Sequence, residues 1–168
     1  MLTRDPKPPD KGTPTLIDQD QPFCYDLHSD EFEVRRALAH LKTYLTRQQV
    51  PPGGVERIEL ICAEAMNNAV EHGYEFKKGL PIWLSCYVDG GRVILQVSDR
   101  GHPIPDTLIR DSSMPDPQLY QEVLREGGWG WALIHHLCSN ISYRREHDTN
   151  LLILQVHLDT EGDQGEMS

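Results

Sequence analysis

Glu64-Ala65-Met66-Asn67-Asn68-Ala69-Val70-Glu71-His72-Gly73-Tyr74 closes a helical stretch that starts near Val55. At about 100° per residue, Ile58, Ile61, Cys62, Ala65, Met66 and Ala69 gather into one apolar stripe. Glu64 and Asn68 lie together on one border of that stripe, about 40° from each other. A carboxylate and an amide there are half desolvated and point the same way, which suits a general base beside a metal ligand. A solvated hydrogen-bonded pair on a surface helix has the same spacing, so the pair alone leaves both readings open. Gly73 ends the helix.

Outward from this helix, strand and helix patterns alternate. Residues 23–27 read as a strand, and Ser29 as the cap of a helix to Arg47 whose apolar positions are Val34, Leu38, Leu41 and Leu45. Pro51-Pro52-Gly53-Gly54 resets the chain before the Glu64 helix. Strands follow at 82–88 and 92–98, joined by the hairpin signal Asp89-Gly90-Gly91. A further helix fits 131–139, and strands at 141–145 and 151–157 pair across a turn at 147–150. Helices interleaved with hairpins predict an α+β protein. Its expected form is a two-layer α/β sandwich with a mixed, mostly antiparallel sheet and helices on one face. Between Ser98 and Gly130 lies a long irregular stretch containing Pro103, Pro105, Pro115 and Pro117, in which only 119–126 reads as helical. Irregular insertions of that length in compact domains are commonly functional, and 102–127 is expected to act as a lid.

Composition sets the class. The chain has 168 residues and a formal net charge of −10, which disfavours sequence-independent binding to nucleic acid or an anionic membrane. Arg35–Arg36, Lys77–Lys78 and Arg144–Arg145 are scattered and read as solvated faces. No stretch has the apolar length of a membrane span or of a signal peptide. Cys24, Cys62, Cys86 and Cys138 form no C-x-x-C pair, so they read as free thiols of a cytoplasmic protein. The expected organisation is a proline-rich flexible leader at 1–21, one folded domain at 22–158 and a flexible acidic tail at 159–168.

Two more elements carry chemistry. In Ser98-Asp99-Arg100-Gly101, an Asp leaving a strand just before a bend can turn its carboxylate into a pocket and accept an adenine amino hydrogen. An ordinary turn has the same pattern. In Glu126-Gly127-Gly128-Trp129-Gly130-Trp131, glycines open a helix whose free N–H groups can receive phosphate. A helix end running into a tight turn is the alternative. His72, His135 and His136 have no spacing that suggests a metal or phosphoacceptor site.

Taken in order, E-x-x-x-N on a helix, D-x-G after a strand and G-G-x-G opening a helix resemble the N, G1 and G2 boxes of the Bergerat-fold (GHKL) ATPases. The wording of 64–74 is most similar to their anti-sigma-factor serine/threonine kinases. The resemblance covers residues 22–158. It implies binding of ATP and Mg2+, with Glu64 as general base, Asn68 as magnesium ligand and Asp99 as the adenine-reading carboxylate. Gly101 would let the nucleotide approach, and Gly128 and Gly130 would line the phosphates. It further implies a kinase that phosphorylates a STAS-domain anti-sigma antagonist, with a sigma factor as second partner and the chain pairing as a homodimer. A non-catalytic nucleotide-binding module that sequesters its partner is the alternative. Two departures from the pattern stand out: Pro103 replaces the second G1 glycine, and Trp129 and Trp131 replace smaller residues of the G2 box.

Overall fold

Period-two burial builds the sheet. In the computed structural model, which describes residues 21–110 and 129–158, the strands are β1 (Phe23–His28), β2 (Pro81–Asp89), β3 (Arg92–Asp99), β4 (Asn140–Glu146) and β5 (Thr149–His157). They form one sheet in the order β1-β2-β3-β5-β4, and every pairing is antiparallel. Leu27, Ile82, Leu84, Cys86, Val93, Leu95, Val97, Leu152, Leu154 and Val156 alternate onto the buried face. Gly90 and Gly91 both take positive φ, the geometry a two-residue hairpin loop requires.

Two long helices supply the second layer, α1 (Glu31–Arg47) and α2 (Pro52–Asn68), followed by the short α3 (Asp106–Arg110) and by α4 (Trp129–Leu137). All six residues of the apolar stripe, five on α2 and Ala69 just beyond it, are buried. On α1 the buried set is Val34, Ala37, Leu41, Tyr44 and Leu45, while Leu38 is only partly covered.

Three expectations change. Asp30, not Ser29, caps α1, its carboxylate accepting from the Phe32 N–H at 2.8 Å. Ser29 instead donates to the Lys77 carbonyl at 2.5 Å and accepts from the Leu80 N–H at 3.0 Å, tying the start of α1 to the loop before β2. The regular α-helix stops at Asn68 and continues as a π turn, Ala69–Gly73, in which the Tyr74 N–H reaches the Ala69 carbonyl. Part of the irregular stretch folds as α3, which 102–127 had not suggested. The expected helix at 119–126, Gly127, Gly128, the tail and all but the last residue of the leader lie outside the described residues.

Candidate functional site

The site grows from the end of α2. Asn68, Ala69, His72 and Gly73 line a cavity whose opposite wall is Val97, Asp99 and Leu152 of the sheet. Ala65, His102, Pro103, Ile104, Pro105, Leu108 and Trp131 complete it. The walls are apolar, with a few convergent polar groups, as a site for a flat heterocycle requires.

Asp99 is the carboxylate in this wall. It is buried, and its Oδ1 accepts from the Gly101 N–H at 2.7 Å and from Asn150 Nδ2 at 2.8 Å. Burial pushes its pKa up, opposed by those two hydrogen bonds and by the charge of Arg145. No other described residue bonds to the carboxylate, which leaves Oδ2 as an acceptor for a ligand.

The turn after Asp99 is held against the π turn. The His102 N–H donates to the Gly73 carbonyl at 2.8 Å, and Tyr74 Oη accepts from the Arg100 N–H at 2.7 Å while donating to the Pro81 carbonyl. A Cβ at Gly101 would come within 2.6 Å of the Gly73 Cα, a clash of backbone with backbone. Gly101 does not line the cavity. Its missing side chain allows close packing against Gly73.

At the other end, Glu64, Asn68 and Gly130 meet. A Cβ at Gly130 would run into Glu64 Oε2, and it would lie 3.8 Å from Asn68 Nδ2. Glu64 and Gly130 thus stand beside the cavity rather than in its lining. Burial, reinforced by the charge of Glu71, raises the pKa of Glu64 and makes it a readier proton acceptor. Asn68 Nδ2 is buried with no hydrogen-bond partner among the described residues, a donor that a bound ligand could satisfy. Of the expected site residues, the structure brings Glu64, Asn68 and Gly130 together and puts Asp99 across the cavity. Gly128 lies outside the described residues.

The sequence profile of the histidine kinase-like ATPase domain matches residues 27–156. The chain belongs to that family. Membership implies nucleotide use, and the profile spans every described residue that forms the cavity. Among similar proteins, a serine-protein kinase RsbW of Oceanobacillus iheyensis is 25% identical over 115 residues, 66% of this chain and 73% of the relative. An anti-sigma F factor of Heyndrickxia coagulans is 26% identical over 102 residues, 60% of this chain and 67% of the relative. The crystal structure of the RsbU and RsbW domains of a Mycobacterium tuberculosis protein superposes with a TM-score of 0.58 at 23% identity. That match covers 82% of this chain but only 32% of the mycobacterial one, and its likeness is one of fold.

Within this ATPase domain the motifs omit Asn150. It is buried on β5, paired in register with Asp99. The signal was available: in β5, Asn150 falls in phase with Leu152, Leu154 and Val156, so the alternation that buries them buries a polar amide too. His135 takes part only indirectly, its Nε2 donating to the Leu108 carbonyl at 2.6 Å and so holding α3 to α4, while His136 is exposed. No helix among the described residues is long and apolar enough to cross a membrane.

Gly130→Ala tests the meeting of α2 and α4. The atom a new methyl meets is the far end of the Glu64 side chain, which can swing away. The fold should survive, with an unfolding midpoint within a few degrees of the parent, while Glu64 is displaced; if Glu64 acts as the base expected from the sequence, turnover should drop about 10²-fold, as for an ångström-scale misplacement. Parental turnover in the variant would show that Glu64 does not work from its observed position.

Proposed function

We propose that the chain is an ATP-dependent serine/threonine protein kinase acting in partner switching, with a STAS-domain anti-sigma antagonist as substrate and a sigma factor as second partner. The observation that carries this reading is the unpartnered Asn68 amide beside Glu64 at the start of α4, across a cavity from Asp99. The RsbW and anti-sigma F relatives support the same class of partner.

Asp99 would accept the adenine amino group through Oδ2. Asn68 would face magnesium with its Oδ1, the amide atom able to ligate a cation, while the unpartnered Nδ2 is a donor suited to a phosphate oxygen. No three of His, Cys, Asp and Glu converge among the described residues, so phosphate oxygens would complete the shell, as is usual for this ion. Bound magnesium would supply neutralisation of charge on the phosphates. Glu64 takes the proton of the attacking serine or threonine hydroxyl as that oxygen bonds to the γ-phosphorus and the bond to the ADP oxygen breaks. The free thiols of Cys24, Cys62, Cys86 and Cys138 accord with a cytoplasmic setting. A folded unit at 22–158 belongs to the same proposal, while most of the expected lid at 102–127 lies outside the described residues.

The test is incubation of the full chain with labelled Mg-ATP and candidate STAS-domain proteins encoded nearby. Label on a serine or threonine of one of them supports the kinase; ATP binding with no transfer to any points to the sequestering module. Asp99→Asn should weaken ATP binding by about 1.5–3 kcal/mol, the worth of a hydrogen bond to a charged group. Calorimetry giving the variant parental affinity would remove Asp99 as the adenine reader.

A further inference from the structure

The Asn150 amide makes five hydrogen bonds. Its Oδ1 accepts from Tyr143 Oη at 2.8 Å and from Arg145 Nη1 at 2.6 Å. Its Nδ2 donates to Asp99 Oδ1 at 2.8 Å, to the His102 carbonyl at 3.0 Å and to the Gly101 carbonyl at 3.3 Å. The orientation of the amide is settled by chemistry: a guanidinium only donates, so the oxygen must face Arg145, and the carbonyls only accept, so the nitrogen must face them. Arg145 also donates to the Gly101 carbonyl at 2.9 Å, and the Ile104 N–H donates to Tyr143 Oη at 3.1 Å.

Three residues of the β4–β5 hairpin therefore hold the whole turn from Asp99 to Ile104. Asp99 Oδ1 is filled by two N–H donors, and only Oδ2 is left for a ligand. Aspartate at 150 would have no hydrogen to give Asp99, and an apolar residue would leave Arg145 and both carbonyls without it.

We propose that Asn150 is a positioning residue that presents Asp99 to the cavity as an acceptor and so sets a preference for adenine over guanine nucleotides. This rests on the ATP reading of the cavity. Adenine offers an amino donor where guanine has a carbonyl oxygen, so an ionised Asp99 selects the first and repels the second. Protonated, Asp99 could donate, and the discrimination would shrink. The charged and titratable groups facing Asp99 are Arg145 from β4 and Tyr74 after the π turn; Tyr143 reaches it through Asn150, and His72 and His102 stand on the cavity wall. The two histidines are common to parent and variants, so differences between the proteins isolate Asn150.

The experiment uses the full chain with Asn150→Leu, close in size but without a donor, and Asn150→Ser, which is smaller and keeps a hydroxyl donor. Carbon NMR follows the Asp99 carboxyl against pH without nucleotide, and calorimetry follows Mg-ATP and Mg-GTP from pH 5 to 8. In Asn150→Leu the Asp99 midpoint should rise by about one pH unit, with a smaller rise in Asn150→Ser. The fall in ATP affinity should begin about one pH unit higher than in the parent, adding up to about a tenfold loss at low pH, and the ATP-to-GTP ratio should narrow. A merely structural role would lower affinity equally at every pH. If Asn150→Leu does not fold, Asn150→Ser carries the same comparison. Folded variants with an unmoved Asp99 midpoint, or with ATP curves parallel to the parent, overturn the role of Asn150 alone. A parent that binds neither nucleotide overturns the ATP reading, and the nucleotide preference with it.

Discussion

Glu64→Gln is expected to cut phosphorylation of the partner protein by about 10²–10⁴-fold while leaving Mg-ATP affinity close to parental. The glutamine keeps the shape that meets Gly130 and keeps hydrogen bonding, but it cannot accept the hydroxyl proton. That proton moves only as the hydroxyl attacks, so the loss falls on the transfer step rather than on binding. The raised pKa of Glu64 adds a pH signature. Parental turnover should decline as pH falls through the elevated Glu64 value, and the variant should lack that limb. Asn68→Ala should behave differently, weakening magnesium-dependent binding itself. Single-turnover rates with labelled ATP decide the matter, and full activity in Glu64→Gln would reject it as the base.

The second large effect concerns stability. Gly101→Ala sets a methyl against the Gly73 backbone, with no flexible side chain to yield. Unfolding free energy should fall by about 3 kcal/mol, the upper end for overpacking, and the displaced Asp99 turn should weaken ATP binding as well. Gly53→Ala is the control: nothing lies near its would-be Cβ in the first turn of α2, and it should be neutral or stabilise by up to about 1 kcal/mol. Urea denaturation of both variants makes the comparison. A Gly101→Ala midpoint equal to that of the parent would mean that the two backbones can part at little cost.

Most of the fold could be read locally. The hairpin at Gly90 and Gly91, the strand alternation and the α2 stripe are properties of neighbouring residues, and each appears where periodicity put it. What escaped depends on residues far apart. Asp30 outcompetes Ser29 as the cap because the Ser29 hydroxyl is engaged by Lys77 and Leu80, some fifty positions on. The π turn is fastened by Tyr74 to Pro81 and Arg100, contacts no helical period encodes. Glu64, Asn68 and Asp99 were legible because a named motif spaces them. For Asn150 only burial was legible, from the β5 alternation; its partner Asp99 is 51 residues away and the pairing exists only once β3 and β5 are in register.

That register has a bearing on how the protein comes into being at the ribosome. β5 is made last of the strands yet sits inside the sheet, between β3 and β4, so β4 can join only through it. A nascent chain that has emerged as far as Tyr143 already carries Glu64, Asn68 and Asp99, but the part of the cavity wall that Leu152 supplies, and the Asn150 amide that bonds Asp99, are still to be synthesised. Long-range pairing of this kind closes slowly and only when both strands are available. The cavity is thereby completed only after β5 has been made, and on the proposed reading of the site an incomplete polypeptide stalled earlier would lack the pocket in which nucleotide is to bind.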